Sequence, residues 1–143
     1  MNKITPENAY AIILHDTKNF NSLPDEFKND KEFIKKCLKI ASFPTNLQYI
    51  AEDLKHDKQF VREVVEIKHL ALLYMGKEFH SQKEYILLAV EQDQFIFEML
   101  DEEFHVYKNN LDKLRDDVKI EKLKDRLEIR LEPISRASKT KKI

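Results

Sequence analysis

Three seven-residue stretches of the chain are near copies of one another: FKNDKEF from Phe27, LKHDKQF from Leu54 and FHSQKEY from Phe79. A repeat of fixed period constrains a fold more than local propensity does. A unit this small cannot bury its own apolar face and must stack on its neighbours. Aligned on the large apolar residue that opens each motif, with Phe104 as a weaker fourth copy, the steps are 27, 25 and 25 residues. Leu23, Ile50, Met75 and Leu100 precede the anchors by four residues, one helical turn, so each pair is read as sharing a helix face. Lys31, Lys58, Lys83 and Lys108 follow the anchors at the same distance. Next come Phe33, Phe60, Tyr85 and Asn110, then Ile34, Val61, Ile86 and Leu111. One turn on stand Leu38, Val65, Val90 and, one step out of register, Leu114.

Each unit reads as a short helix ending near the anchor, a tight turn and a second helix. Asn29 with Glu32, and Ser81 with Glu84, have the spacing of a side-chain cap and its reciprocal carboxylate, while Asp57 serves where His56 occupies the cap place. Thr5 before Pro6 opens a further helix through ENAYAIILHD. The fourth unit decays into one long charged helix from about Val106, with Leu111, Leu114 and Val118, then Ile120, Leu123, Leu127 and Leu131 at helical spacings. The alternation Leu127, Ile129, Leu131 leaves a strand open as the alternative. The expected fold is all-α: about four helix pairs near 20–45, 46–71, 72–96 and 97–118, in one domain 1–132 that ends in the long helix. A basic, disordered tail is expected over 133–143.

Composition agrees. A single glycine, Gly76, leaves too few flexible turns for a sheet protein. Cys37 is alone, so no intramolecular disulfide forms and a reducing compartment is expected. The first residues carry acids close behind a short apolar run and do not read as a signal peptide. No apolar run approaches the roughly 20 residues that span a bilayer, so a cytoplasmic protein with no membrane partner is expected. The net charge of −1 conceals an asymmetry, −6 over residues 1–104 and +5 over 105–143. Lysine outnumbers arginine 20 to 5, which suits an A/T-rich bacterial, phage or mobile-element genome.

The pattern resembles the bacterial helical-repeat domain of unknown function numbered 4116, on Asp30, Lys31, Glu32 and Phe33, on Leu54, Asp57, Lys58, Phe60, Val61 and Val65, and on Lys83, Glu84, Tyr85, Ala89 and Val90. The resemblance covers about residues 20–105 and departs at Gln82 and through the fourth unit. It implies a helical stack used as an interaction surface and brings no assigned chemistry with it.

The chemistry-bearing residues are read in the same spirit. His80 and His105 are equivalent and His56 lies one position off, but no pair has the i, i+4 spacing of metal ligands on one helix. Cys37 has lysines nearby and no histidine in its helix to act as base. Adjacent acids at Glu52–Asp53 and Asp101–Glu102–Glu103 suit a solvated face, and one glycine excludes a phosphate-cradling loop. No catalytic residue, cofactor or metal site is expected, and the chain is not read as an enzyme. The expected function is a protein-interaction or adaptor module that binds and occludes a protein partner, or pairs with a second copy through its C-terminal helix. Leu123, Leu127, Arg130, Arg136, Lys139, Lys141 and Lys142 are the candidate binding residues. A nucleic-acid-associated regulator using the basic helix and tail is the alternative.

Overall fold

Two short turns followed by a longer helix recur four times along the chain. The computed structural model describes residues 3–140, with side chains through Glu128. Helix α1 (Pro6–His15) precedes the repeats; Thr5 Oγ1 accepts from the Asn8 amide at 3.2 Å, and Ala9 and Ile13 are buried against the first unit. The first turns are 3-10 helices at Thr17–Ser22, Pro44–Tyr49, His69–Tyr74 and Gln94–Met99, stepping by 27, 25 and 25 residues. The second turns are α2 (Asp25–Lys28), α4 (Glu52–Lys55) and the 3-10 helices Lys77–Ser81 and Glu102–Tyr107. The third elements are α3 (Lys31–Leu38), α5 (Lys58–Ile67), α6 (Lys83–Val90) and α7 (Leu111–Thr140). The turns of the first three units pack on one another, and α3, α5, α6 and α7 pack in sequence as a second layer.

The expected helix–turn–helix unit is therefore a turn–turn–helix unit, and each begins two or three residues earlier than the spacing suggests, at Thr17, Pro44, His69 and Gln94. Leu23, Ile50, Met75 and Leu100 adopt extended backbone, with ψ between 154° and 175°. Each breaks the helix, so it and the anchor four residues on come from different pieces. Both are buried all the same, in every unit.

The caps also move. Asp30 accepts from the Phe33 amide at 3.0 Å and Asp57 from the Phe60 amide at 3.1 Å, each starting a long helix. The expected caps Asn29 and Ser81 lie one residue upstream and tie instead to the preceding turn: Asn29 Nδ2 donates to Asp25 O at 3.2 Å and Ser81 Oγ to Glu78 O at 3.3 Å. A cap must stand in extended backbone just ahead of the amides it satisfies, and that position belongs to Asp30, Asp57 and Gln82, the last without a side-chain bond.

The fourth unit is not decayed so much as lengthened. Phe27 to Asp30, Leu54 to Asp57 and Phe79 to Gln82 span three residues, whereas Phe104 to the cap Asn110 spans six. Asn110 Oδ1 accepts from the Lys113 amide at 3.1 Å, which starts α7 at Leu111 and not near Val106. With this insertion Leu114 aligns with Ile34, Val61 and Ile86, and Val118 with Leu38, Val65 and Val90, and all eight are buried. Leu111 now stands where Lys31, Lys58 and Lys83 stand, and Lys108 belongs to the insertion. Tyr107, brought in by those extra residues, is buried and donates its hydroxyl to Asp117 at 2.6 Å, where earlier units carry Cys37, Val64 and Ala89.

Among the described residues there is no strand, so Leu127, Ile129 and Leu131 lie on a helix. The backbone of α7 continues through Pro133 to Thr140, over most of the stretch expected as a disordered tail. One proline removes one i→i−4 bond, and the surrounding Leu, Lys, Arg, Glu and Ala residues favour helix.

Phe60 sits in the central unit at 1% exposure. Phe60→Ala is expected to cost about 3–5 kcal/mol in denaturant unfolding. Asn110→Ala is expected to cost about 1 kcal/mol, through loss of a cap and not of core. Equal, small losses at both sites would refute the alignment of units.

Candidate interaction surface

The histidines the repeat brings into register perform a structural task. The residue after each anchor is Lys28, Lys55, His80 and His105; the first three reach a carbonyl of the turn before them and His105 that of the extended Leu100. Lys28 Nζ donates to Asn21 O at 2.8 Å and Lys55 Nζ to Gln48 O at 3.0 Å. His80 Nε2 meets Leu72 O at 2.7 Å and His105 Nε2 meets Leu100 O at 3.1 Å. The lysines take up the Asn21 and Gln48 carbonyls near the ends of their turns, whereas His80 meets a Leu72 carbonyl that also accepts from the Met75 amide. His69 stands beside Asp93, 3.6 Å away, and not beside the other two. Among the described residues no three His, Cys, Asp or Glu side chains converge on a point that could hold a metal ion.

Cys37 packs in the core between α3 and its neighbours, with no exposed surface. Burial pushes its thiol up to about 12 and the Lys36 charge offsets this only in part, so the sulfur stays protonated near neutrality. The acids Glu52, Asp53, Asp101, Glu102 and Glu103 are solvent-exposed.

Charge pairs link successive long helices. Lys31 reaches Asp57 at 2.8 Å, and Lys35 reaches Glu63 at 2.6 Å. Arg62 pairs with Glu84, which also faces Lys122 of α7 at 3.6 Å. Lys83 reaches Glu121 at 3.0 Å, and Arg115 reaches Glu91 at 3.2 Å. Thus Lys31 and Lys83, which recur at one place in the repeat, are bound within the stack. The Lys31 ammonium and the Phe60 amide hold Asp57 below the usual carboxylate range.

After Val118 and through Glu128, α7 buries no further side chain, though Glu121 and Lys122 still reach Lys83 and Glu84 of α6. Every residue from Lys119 to Glu128 is exposed, including Ile120 at 49%, Leu123 at 55% and Leu127 at 44%. The two leucines the sequence singles out therefore form part of an uncovered apolar stripe. The side chains of Arg130, Arg136 and Lys139, and Lys141 and Lys142 altogether, lie outside the described residues. Sequence reasoning missed a second set on the turns of the fourth unit: Phe95 at 65%, Met99 at 50% and Val106 at 65% exposure. The alignment held a partial signal at most: Val106 follows polar Asn29, His56 and Ser81, but Phe95 follows Lys18, Thr45 and Leu70, and Met99 follows Ser22, Tyr49 and Tyr74.

Four stacked turn–turn–helix units with an exposed terminal helix define a helical-repeat protein. The chain belongs to the family described as "Domain of unknown function (DUF4116)", whose model matches residues 7–55, 40–80 and 57–105. The three matches end at Lys55, His80 and His105, the carbonyl-binding position of the second, third and fourth units. No curated protein and no solved structure matches the chain. Among the described residues no helix is long and apolar enough to cross a membrane.

One junction between units is built on a titratable pair. His56 Nδ1 lies 2.5 Å from Glu78 Oε1, beside Gly76, where an added Cβ would come within 2.6 Å of His56 Nδ1 and collide with the Glu78 carboxylate. The Glu78 hydrogen bond raises His56 above its ordinary 6.5, and His56 lowers Glu78 below its ordinary 4.5. The His56 contribution is full below 6.5 and lost as pH rises through the raised value; the Glu78 contribution is full above 4.5 and lost as pH falls through the lowered one. The link is complete between these limits. An NMR titration should place the His56 midpoint above 6.5, and Glu78→Gln should return it toward that value. An unchanged midpoint in Glu78→Gln would disprove the pairing.

Proposed function

We propose that the chain is a non-enzymatic protein-interaction module, an accessory protein of a bacterium, phage or mobile element that acts in the cytoplasm. The carrying observation is the apolar stripe of α7, with Ile120, Leu123 and Leu127 all exposed on a segment, Lys119 to Glu128, that buries no side chain. Soluble proteins rarely leave large aliphatic side chains on a projecting helix unless something covers them. The buried Cys37 thiol, the histidines engaged with carbonyls and the charge pairs between helices all serve the stack, which leaves the outer face of α7 as the surface for a partner. Occlusion of that partner by a preformed helix costs little conformational entropy. The double variant Leu123→Glu with Leu127→Glu should fold normally, within about 0.5 kcal/mol, because both positions are exposed. It should bind the partner roughly 100-fold more weakly, from about 3 kcal/mol of forfeited apolar burial. Recovery of the same proteins from host extract by both forms would overturn this reading.

The basic end of the helix supports the second reading, a regulator that contacts nucleic acid, since residues 129–143 carry five cations against Glu132. Removal of residues 133–143 should then weaken duplex binding and flatten its salt dependence in proportion to the phosphate-pairing cations removed. The expected result is no duplex binding near physiological salt. Sub-micromolar binding by the full chain would promote the regulator over the protein-interaction module.

A further inference from the structure

Positions 95, 99 and 106 face solvent, and their counterparts in the first unit, Lys18, Ser22 and Asn29, are polar and exposed or half-buried. Neighbouring units do not cover these sites in the last unit, so its apolar residues there are not filling a gap between repeats. The same segment is the most acidic of the chain. Residues 91–106 hold Glu91, Asp93, Glu98, Asp101, Glu102 and Glu103 with no lysine or arginine. Lys108 ties Glu98 at 2.7 Å, and Arg115 ties Glu91, while Asp101, Glu102 and Glu103 stand exposed next to Val106. An apolar surface amid unneutralised acids fits a helix that is both apolar and basic.

The chain contains such a helix. Residues 129–140 of α7 carry Arg130, Arg136 and Lys139 among Ile129, Leu131 and Ile134. It cannot reach its own fourth unit. α7 begins shortly after the Glu102–Tyr107 turn, packs on α6 and runs uninterrupted to Thr140. Its last 22 residues, 119–140, extend about 33 Å past Val118. A helix does not reverse direction, so its basic end meets these turns only on another molecule. Resting on the reading of α7 as a binding helix, we infer that the partner is a second copy of this chain, each α7 lying across the acidic, apolar turns of the other's fourth unit. A two-fold axis makes the contact reciprocal. A helix face about 33 Å long and about 12 Å wide covers roughly 400 Å², and two such contacts give roughly 800 Å² per partner, the size of a standard stable interface.

The test is the solution mass of the full chain by analytical ultracentrifugation, on the wild type, on Glu102→Lys with Glu103→Lys, on Arg130→Glu with Arg136→Glu, and on the four changes combined. The wild type should sediment at twice the 17.1 kDa chain, with a dissociation constant that rises with added salt. Either reversal alone should weaken the dimer at least tenfold, and the combination should restore it to within about threefold of wild type. Phe95→Ser, which leaves charge unchanged, should also weaken it. Circular dichroism should be alike in all forms, since the substituted positions of the fourth-unit turns are exposed, and melting should differ only as far as dimerisation itself stabilises the fold. A wild type that stays monomeric at high concentration overturns the inference, and the interaction-module reading then stands or falls on the Leu123, Leu127 capture alone. A dimer indifferent to Glu102→Lys with Glu103→Lys also overturns it, because α7 would then be pairing with α7.

Discussion

A helix of eight residues does not persist alone in water, and α3 and α6 are of that length, with α5 only ten. Their existence depends on burying one row of side chains against the next unit. Ile34, Val61, Ile86 and Leu114 form one buried row, and Leu38, Val65, Val90 and Val118 form another. Inside the units, Phe27 packs on Phe33 with centroids 5.1 Å apart and Phe79 on Tyr85 at 4.8 Å, joining turn to helix. Between the first two units, Phe20 meets Phe43 edge-on at 5.0 Å. Backbone bonds add register, Ala51 N–H to Lys28 O at 3.0 Å and Gly76 N–H to Lys55 O at 2.8 Å. No unit carries a complete core, so stability is a property of neighbouring pairs.

Polar groups fill the remaining tasks in the same repeating way. Lysines or imidazoles after each anchor bind backbone carbonyls just upstream, and charge pairs run from helix to helix along the outer layer. Each exposed pair contributes little energy, commonly about 0–1 kcal/mol. Their value lies in register and in consuming charge. Lys31, Lys83 and Glu84 are all committed within the stack, while the fourth unit's Asp101, Glu102 and Glu103 stand exposed.

The fourth unit shows how a repeat ends. It keeps both turns and the cap, lengthens their connection by three residues, and replaces the buried aromatic of its long helix with Lys113 and the later core residue with Asp117. Tyr107 covers both losses: its ring is buried, Lys113 Nζ lies 6.0 Å from the ring centroid, and its hydroxyl binds Asp117. Freed from a following unit, α7 continues outward and exposes the face that earlier long helices bury.

The sequence by itself determined the all-α stack, its period of 25 to 27 residues, the buried rows around each anchor and the apolar residues of α7, while the buried row Phe20, Leu47, Leu72 and Phe97 of the first turns went unread. Side-chain periodicity reports burial directly, because solvent selects the residue type at each site. Tertiary structure alone decided where the helices start and stop. Leu23 and Phe27 have helical spacing but are separated by a break in the helix at the extended Leu23, a choice made by packing and not by pattern. Asp30 and not Asn29 is the cap, because only backbone geometry says which oxygen faces the free amides. The six-residue span from Phe104 to Asn110 hid the register of Leu114 and Val118, since an insertion between aligned positions is invisible until the cap is seen. Exposure of Phe95, Met99 and Val106 was likewise a tertiary fact: an apolar letter does not tell which side of a 3-10 turn faces water, and here the buried side is taken by Ile96, Phe97 and Phe104.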